Sequence, residues 1–360
     1  MRNVSSNSFI SISQSYFTPI HLGSVYSLHP HKSVGEDVIT RRLLPEQHNM
    51  KLLQNRRHIN TDLAGSCHQQ PNYLQIRARM NRLIDRYLSI KILSQKLIDL
   101  PTQFAQPHVR QWEPIDWKSI SRTQIVGVDP DLFIMLAAGA TEIETPIHEY
   151  SQESWSYMQS IHPEMAYFMG GSQNPDGSIA TLGVWEKEER QHAPTFKKIY
   201  SQLTGEKLLP KPNTVSGYQA TSSVQAVYNH TLSRISTEWG AVSIYLWLMA
   251  HSTGALQQAI AQPLQDEVNH LAKFWGFSRW AFASSYYGQV KGSTKNLVSL
   301  LKHHRGERTE GGNLAGKATA VDGIELAFVF SRVIVRLRGW NRELSDTLLN
   351  HLFGTNHLGN

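Results

Sequence analysis

Two segments of the chain repeat one pattern, Glu189-Arg190-Gln191-His192 and Glu267-Val268-Asn269-His270. Both read Glu-x-x-His. On a helix, residues i and i+3 stand one turn apart on a common face, so a carboxylate and an imidazole can reach the same metal ion. With eighteen Glu and seventeen His in 360 residues, chance alone supplies roughly one such pair. Context therefore decides. Leu182, Trp185, Glu189, His192, Phe196 and Ile199 form an apolar stripe around the first pair, and Ile260, Glu267, His270, Leu271 and Phe274 form one around the second. A buried carboxylate costs several kcal/mol unless it is paired or bound to a metal, and two stripes that repeat that cost point to a cation.

A helical bundle that holds two irons takes one further Glu from each of its other two helices. Glu238 is the only acid between Glu206 and Asp266, and it shares a stripe with Ala241, Val242, Tyr245, Leu248 and Met249. A basic neighbour is the ordinary explanation for a lone buried Glu, yet Arg234 is the only Lys or Arg in residues 223–250. The remaining helix offers Glu142, Glu144, Glu149 and Glu153. Helix length separates them only in part: Glu153 fits a helix that runs on to Met169, and Glu144 fits one that ends before Pro163.

Four long helical segments must position these residues: about Asp131 to Ser160, Ser178 to Leu203, Ser223 to Ala250, and Gly254 to Trp275. His162-Pro163, the run Gly170 to Gly177, Gly205 with Pro210 and Pro212, and Ser252 to Gly254 separate them. The expected architecture is an all-α four-helix bundle with flanking helices. Residues 1–70, rich in Ser, His, Asn and Gln, read as a poorly ordered extension. Residues 71–111 read as one basic amphipathic helix (Leu74 to Leu100) and a Pro-punctuated linker, 112–288 as the bundle, and 289–360 as a polar loop followed by helices packed on it. The aromatic residues Trp239, Tyr245, Trp247, Phe274, Trp275 and Phe277 are candidates for the wall of an apolar substrate channel, although such spacing is more often core.

The single cysteine, Cys67, excludes a disulfide framework and any all-cysteine metal site, which points to a reducing compartment and to His, Asp and Glu as ligands. Residues 1–112 hold fourteen Lys/Arg against six acids, a net of +8, and the remainder is at −2. The basic balance thus belongs to the N-terminal part, and the main domain has no nucleic-acid signature. The most apolar run, Ile324 to Leu337, is interrupted by Glu325, Arg332 and Arg336, so no membrane span is expected. Residues 1–35 contain no acid and many Ser, a composition shared by organellar transit peptides, disordered tails and upstream translated segments, with Met50 an alternative start.

From about Trp112 to Phe277 the chain resembles the soluble acyl-carrier-protein desaturases, the plastid and bacterial fatty acid desaturases of the ferritin-like superfamily. Trp185-x-x-Glu188-Glu189-x-x-His192, Asp266-Glu267-x-x-His270, and Phe133 through Gly139 with Thr141, Glu144 and Tyr150 carry the resemblance, over about half the chain. It implies a di-iron centre held by Glu144, Glu189, His192, Glu238, Glu267 and His270. It implies also that Asp266 accepts a hydrogen bond from a ligating His, with Glu188 and Trp185 close by. The implied activity is oxidation of a C–H bond of an apolar substrate with dioxygen. A ferredoxin-type electron donor, an acyl carrier protein and a homodimer go with it, in the cytoplasm or, behind a transit peptide, the plastid stroma. One position departs from the family. The desaturases carry a threonine one turn after the third-helix Glu, associated with proton delivery to bound oxygen, where this chain has Ala241. Hydroxylation or N-oxygenation stays open beside desaturation, as do iron or peroxide handling of the ferritin and rubrerythrin kind and a metal-free interaction protein.

Other patterns are weaker. Gly311-x4-Gly316-Lys317 lacks the hydroxyl residue of a phosphate loop, since Ala318 follows, and reads as a turn. His148-Glu149 begins like a zinc-protease helix, but Gln152 stands in place of the second His. His303, His304, Arg305 and Arg308 read as a basic surface loop, with an acidic carrier protein as its candidate partner.

Overall fold

The computed structural model describes residues 70–176, 178–208, 223–282, 286–307 and 320–355. The periodic segment from Leu74 folds as three helices rather than one: α1 (Tyr73–Tyr87), α2 (Ile90–Ile98) and α3 (Leu100–Ala105). Asn72 and Gln75 close a capping box on α1, and the Ser89 hydroxyl receives the Ile92 N–H to restart the chain as α2. Their inner face, Ile76, Met80, Ile84, Leu88, Leu93 and Leu97, is buried. Each such side chain contributes about 1.5–3 kcal/mol by leaving water.

The first long segment is likewise divided, into α4 (Pro130–Glu144), α5 (Ile147–Met158) and α6 (Pro163–Gly170). Pro146 is the reason, because it has no N–H to donate to Glu142 and its ring crowds that carbonyl. The second segment departs further from expectation. A short antiparallel hairpin, β1 (Ser172–Gln173) and β2 (Ile179–Thr181), occupies the start of the expected helix. At Gly171, with φ of +79°, a Cβ would lie 1.8 Å from the Thr181 carbonyl oxygen, so only glycine admits this close approach. Helix then runs as α7 (Val184–Glu189) and α8 (His192–Thr204), split where Pro194 meets the Arg190 carbonyl.

The last two segments are continuous helices, α9 (Val224–Ala250) and α10 (Gly254–Phe282), joined by a three-residue turn and packed along one another. Ser223 caps α9 by accepting from Ala226 N–H. Arg79 of α1 fixes the turn through the carbonyls of Ala250 and Ser252, at 2.7 and 2.5 Å. α11 (Tyr286–Glu307), α12 (Ala320–Asn341) and α13 (Asp346–Phe353) complete the chain. The polar stretch after residue 288 was expected to loop, but it forms α11. Gly292 is a contact point: a Cβ there would lie 2.5 Å from the Leu232 side chain of α9. His303, His304 and Arg305 fall on this helix. The N-terminal extension with Cys67, the Gly311-to-Lys317 turn and Arg308 lie outside the described residues.

The fold is all-α, and the one hairpin is a minor element. Among the described residues no helix is long and apolar enough to cross a membrane. The aromatic residues expected as a channel wall, Trp239, Tyr245, Trp247, Phe274, Trp275 and Phe277, are packed in the core.

Two of the three histidines buried away from the candidate metal ligands, His162 and His230, have lowered pKa values. His162 caps α6, its Nδ1 accepting from Met165 N–H while Nε2–H donates to the Phe353 carbonyl at 3.1 Å. His230 of α9 meets Ser154 Oγ at 2.9 Å. Burial lowers the pKa of His162, and burial with the nearby Arg234 charge holds His230 well below the ordinary 6.5. Both stay neutral in the folded chain, while the unfolded chain takes up their protons near 6.5. The stability they contribute is present above that pH and is lost as pH falls. Measured against a His162→Asn variant, the wild-type urea midpoint should therefore drop between about pH 7.5 and pH 5.5. A difference between the two proteins that stays constant across that range would remove His162 from the explanation.

Candidate metal centre

Glu144 is the last residue of α4, Glu189 ends α7 and His192 opens α8; Glu238 lies in mid α9, and Glu267 and His270 lie in mid α10. Prolines stand close to most of these positions. Pro146 ends the helix just after Glu144, Pro194 makes the break between Glu189 and His192, and Pro263 interrupts the α10 ladder one turn before Glu267. The six residues are all buried, none more than 7% exposed. They form two overlapping groups: Glu144, Glu189, His192 and Glu267, and Glu189, Glu238, Glu267 and His270. In each group one ligand atom per residue lies within 4.8 Å of the others. Glu189 and Glu267 belong to both.

The imidazoles point inward through Nδ1. His192 Nδ1 lies 2.9 Å from Glu189 Oε2 and 3.0 Å from Glu267 Oε1. His270 Nδ1 lies 2.8 Å from Glu189 Oε1 and 3.6 Å from Glu238 Oε2. Their outer nitrogens bond crosswise. His192 Nε2–H donates to Asp266 at 3.3 Å, and His270 Nε2–H donates to Glu188 at 2.8 Å. The acid preceding each Glu-x-x-His thus anchors the histidine of the other pair, which leaves each Nδ1 lone pair for a cation.

Arg110, from the segment before the bundle, joins the two anchors. Its backbone N–H donates to Glu188 at 2.8 Å, its Nε to Asp266 at 2.5 Å, and its Nη2 to the Gln262 carbonyl next to Pro263. Trp112 Nε1–H also donates to Asp266, and its indole stacks on His192 at 6.1 Å. Trp185 Nε1–H donates to Glu189, and Tyr245 O–H donates to Glu144 at 2.5 Å.

Without a cation, the cluster resolves its charge by sharing protons. Burial, then the Glu189 charge, pushes Glu144 and Glu267 well above the usual carboxylate range. Burial would raise Glu189 as well, but His192 and His270 hold it well below. Both imidazoles are held well above their ordinary value against burial, His192 chiefly by Glu189 and His270 chiefly by Glu188. Among the described residues no Lys or Arg pairs with Glu144, Glu189, Glu238 or Glu267; the ion-pair partners of all four are His192 and His270.

The atoms left over test the fit to metal. His192 Nδ1, His270 Nδ1, Glu238 Oε2 and Glu267 Oε1 are buried and make no aligned hydrogen bond, although they lie at ion-pair distance from one another or from Glu189, and all four face the cluster. Buried polar atoms are otherwise almost always satisfied. These groups can hold a metal ion, and three carboxylates with one imidazole in each suit a hard or borderline divalent cation.

Of the two first-helix candidates, Glu144 lies in the cluster; Glu153, on α5, faces His230 Nδ1 at 3.9 Å. His148 does not join it either and pairs with Glu186 at 2.9 Å. Asp266, Glu188 and Trp185 all touch the candidate ligands as described. Arg110 and Trp112 carried no signal in sequence, since a linker shows no periodicity. The spacing offers Tyr245 as core or as a channel wall, and a buried Tyr on the Glu238 face is the clue to its hydrogen bond. A cavity of about 30 Å³ adjoins the four glutamates, lined also by Tyr150, Trp185, Arg234, Thr237 and Ala241. No protein-family model, curated protein or solved structure matches this chain.

Proposed function

We propose that the chain is a di-iron oxidase of ferritin-like architecture that uses dioxygen to oxidise a C–H bond of an organic substrate. The observation that carries this reading is the pair of four-residue groups sharing Glu189 and Glu267. Six side chains for two ions leave coordination positions vacant, as a catalytic rather than a structural site requires. Iron bound there, reduced by a ferredoxin-type donor, would supply the electrons for dioxygen reduction and the oxidising power for C–H cleavage.

The chain supplies the rest. Glu189 and Glu267, common to both groups, would serve both ions, with Glu144 and His192 completing one set and Glu238 and His270 the other. Asp266 and Glu188 keep each imidazole Nδ1 free of a proton when a cation is present. Tyr245 fixes the Glu144 carboxylate, and the surrounding core excludes water. Thr237 lines the cavity one residue before Glu238, but its hydroxyl already donates to the Arg234 carbonyl at 2.8 Å. Ala241 offers no hydroxyl at all. The chain therefore lacks the threonine of the desaturases, and desaturation and hydroxylation are separated by product analysis.

Anaerobic ferrous titration followed by metal analysis is expected to give about two irons per chain. Oxygen consumption by the reduced protein should then depend on an added organic substrate. Consumption that needs no substrate would assign iron or peroxide handling, and no metal uptake would leave a helical interaction protein.

A further inference from the structure

Arg234 is the one cationic side chain lining the cavity beside the glutamates. It is 94% buried, with a residue exposure of 6%. Its guanidinium carbon sits 4.8 Å from the Tyr150 ring centre and 5.9 Å from that of Trp185, the indole that also donates to Glu189. Two aromatic faces therefore hold its plane. Its Nε is buried without a hydrogen-bond partner; its charge acts on the Glu153 carboxyl, but among the described residues no close ion pair joins the two. A buried charge is ordinarily paired, because leaving it unpaired costs several kcal/mol.

The obvious partner stands one turn away and is not used. Glu238 follows Arg234 at i+4 on the same helix and lines the same cavity. Opposite charges at that spacing normally close on one another. Here Glu238 Oε2 is itself without a partner and turns toward His270. The space between the two side chains is the cavity. Its volume of about 30 Å³ matches two or three water-sized groups, the size of a carboxylate. A guanidinium presents its N–H donors in a fork that fits a carboxylate edge to edge.

We infer that Arg234 binds the carboxylate of an organic acid, placing that ligand in the cavity against the Glu144, Glu189, Glu238 and Glu267 cluster. The inference rests on the metal reading, since it takes the cavity for the substrate pocket of a metal centre. The ligand is a small carboxylate or the carboxylate end of a longer acid, and thus a free acid rather than an ester or thioester. Arg234 is on this account a residue of substrate specificity.

The probe is acetate, compared with its neutral isostere acetamide. The chain is loaded with cobalt(II) as a visible stand-in for iron, and the change in the cobalt absorption is followed. Acetate should shift the spectrum saturably, and acetamide should require at least about tenfold higher concentration. Arg234→Gln should keep its cobalt and lose at least about tenfold in acetate affinity, with Arg234→Lys in between. Should Arg234→Gln fail to fold, the lysine variant and the wild-type preference for acetate over acetamide carry the test. A wild-type protein that takes up no cobalt or iron removes the metal reading and this inference together. One that takes up cobalt, yet binds both probes alike or responds to acetate equally as Arg234→Gln, overturns the carboxylate site and leaves the metal reading standing.

Discussion

Glu267→Gln is expected to leave the metal-free protein about as stable as wild type and to abolish stabilisation by iron. Two effects of opposite kind meet at this residue. In the metal-free cluster, burial and the Glu189 charge keep Glu267 in its protonated form, which glutamine resembles in shape and charge. In the metal-bound cluster it would be an ionised ligand shared by both groups. A cation present at a thousand times its dissociation constant stabilises the folded state by about 4 kcal/mol, a rise in melting temperature of roughly 10 °C for a domain of this size. The variant should show almost none of that rise, and its iron content should fall from both positions. Glu238→Gln touches one group and should keep about one ion per chain. Thermal melts with and without ferrous iron, with metal analysis, decide the matter. Equal iron in Glu267→Gln and wild type would remove Glu267 from the site.

The contrast between Glu267 and Arg110 shows what a linear sequence makes legible. Glu189, His192, Glu238, Glu267 and His270 could be found because buried acids on apolar helical stripes violate the usual partition of charge, and each violation is local. Glu144 was not separable from Glu153 by spacing. The helix length that decides between them depends on Pro146, which stands inside an otherwise helical pattern, as Pro194 does. Hydrophobic period runs across such breaks, so it predicts continuous helices where α4, α5, α7 and α8 stand. The hairpin at residues 172–181 was hidden by the helical reading of Ser178 onward, although Gly171 and Gly183 mark close backbone approaches there. In α11, glycine was read as a loop former when it serves helix contact. Arg110, Trp112 and Arg234 act through partners far away in sequence, and no periodicity reports such partners.

Arg110→Ala should be among the most destabilising single substitutions in this chain. The side chain donates to Asp266 and Gln262, and the backbone of the same residue donates to Glu188. Asp266 is fully buried, and its pKa stays low against burial through His192 and then Arg110. Breaking a buried pair by removing one partner costs about 3–5 kcal/mol; the Arg110 side chain is 19% exposed, which favours the lower end, about 3 kcal/mol. The loss should reach the metal as well. With its partner gone, Asp266 gains a reason to bind a proton, and a protonated carboxyl accepts from His192 more weakly than the carboxylate does. Removing an anchor of this kind typically costs 10–100-fold in metal affinity. Arg110→Lys retains the charge without the fork that serves Asp266 and Gln262 together, so it should fall between wild type and alanine on both measures. Urea denaturation of the metal-free protein and competitive cobalt titration of the folded protein read the two effects separately. If Arg110→Ala unfolds at the wild-type midpoint and binds cobalt with wild-type affinity, residues 106–112 merely cover the bundle. The expected result instead makes them part of the centre, because the two histidines are oriented by acids whose charge this segment balances.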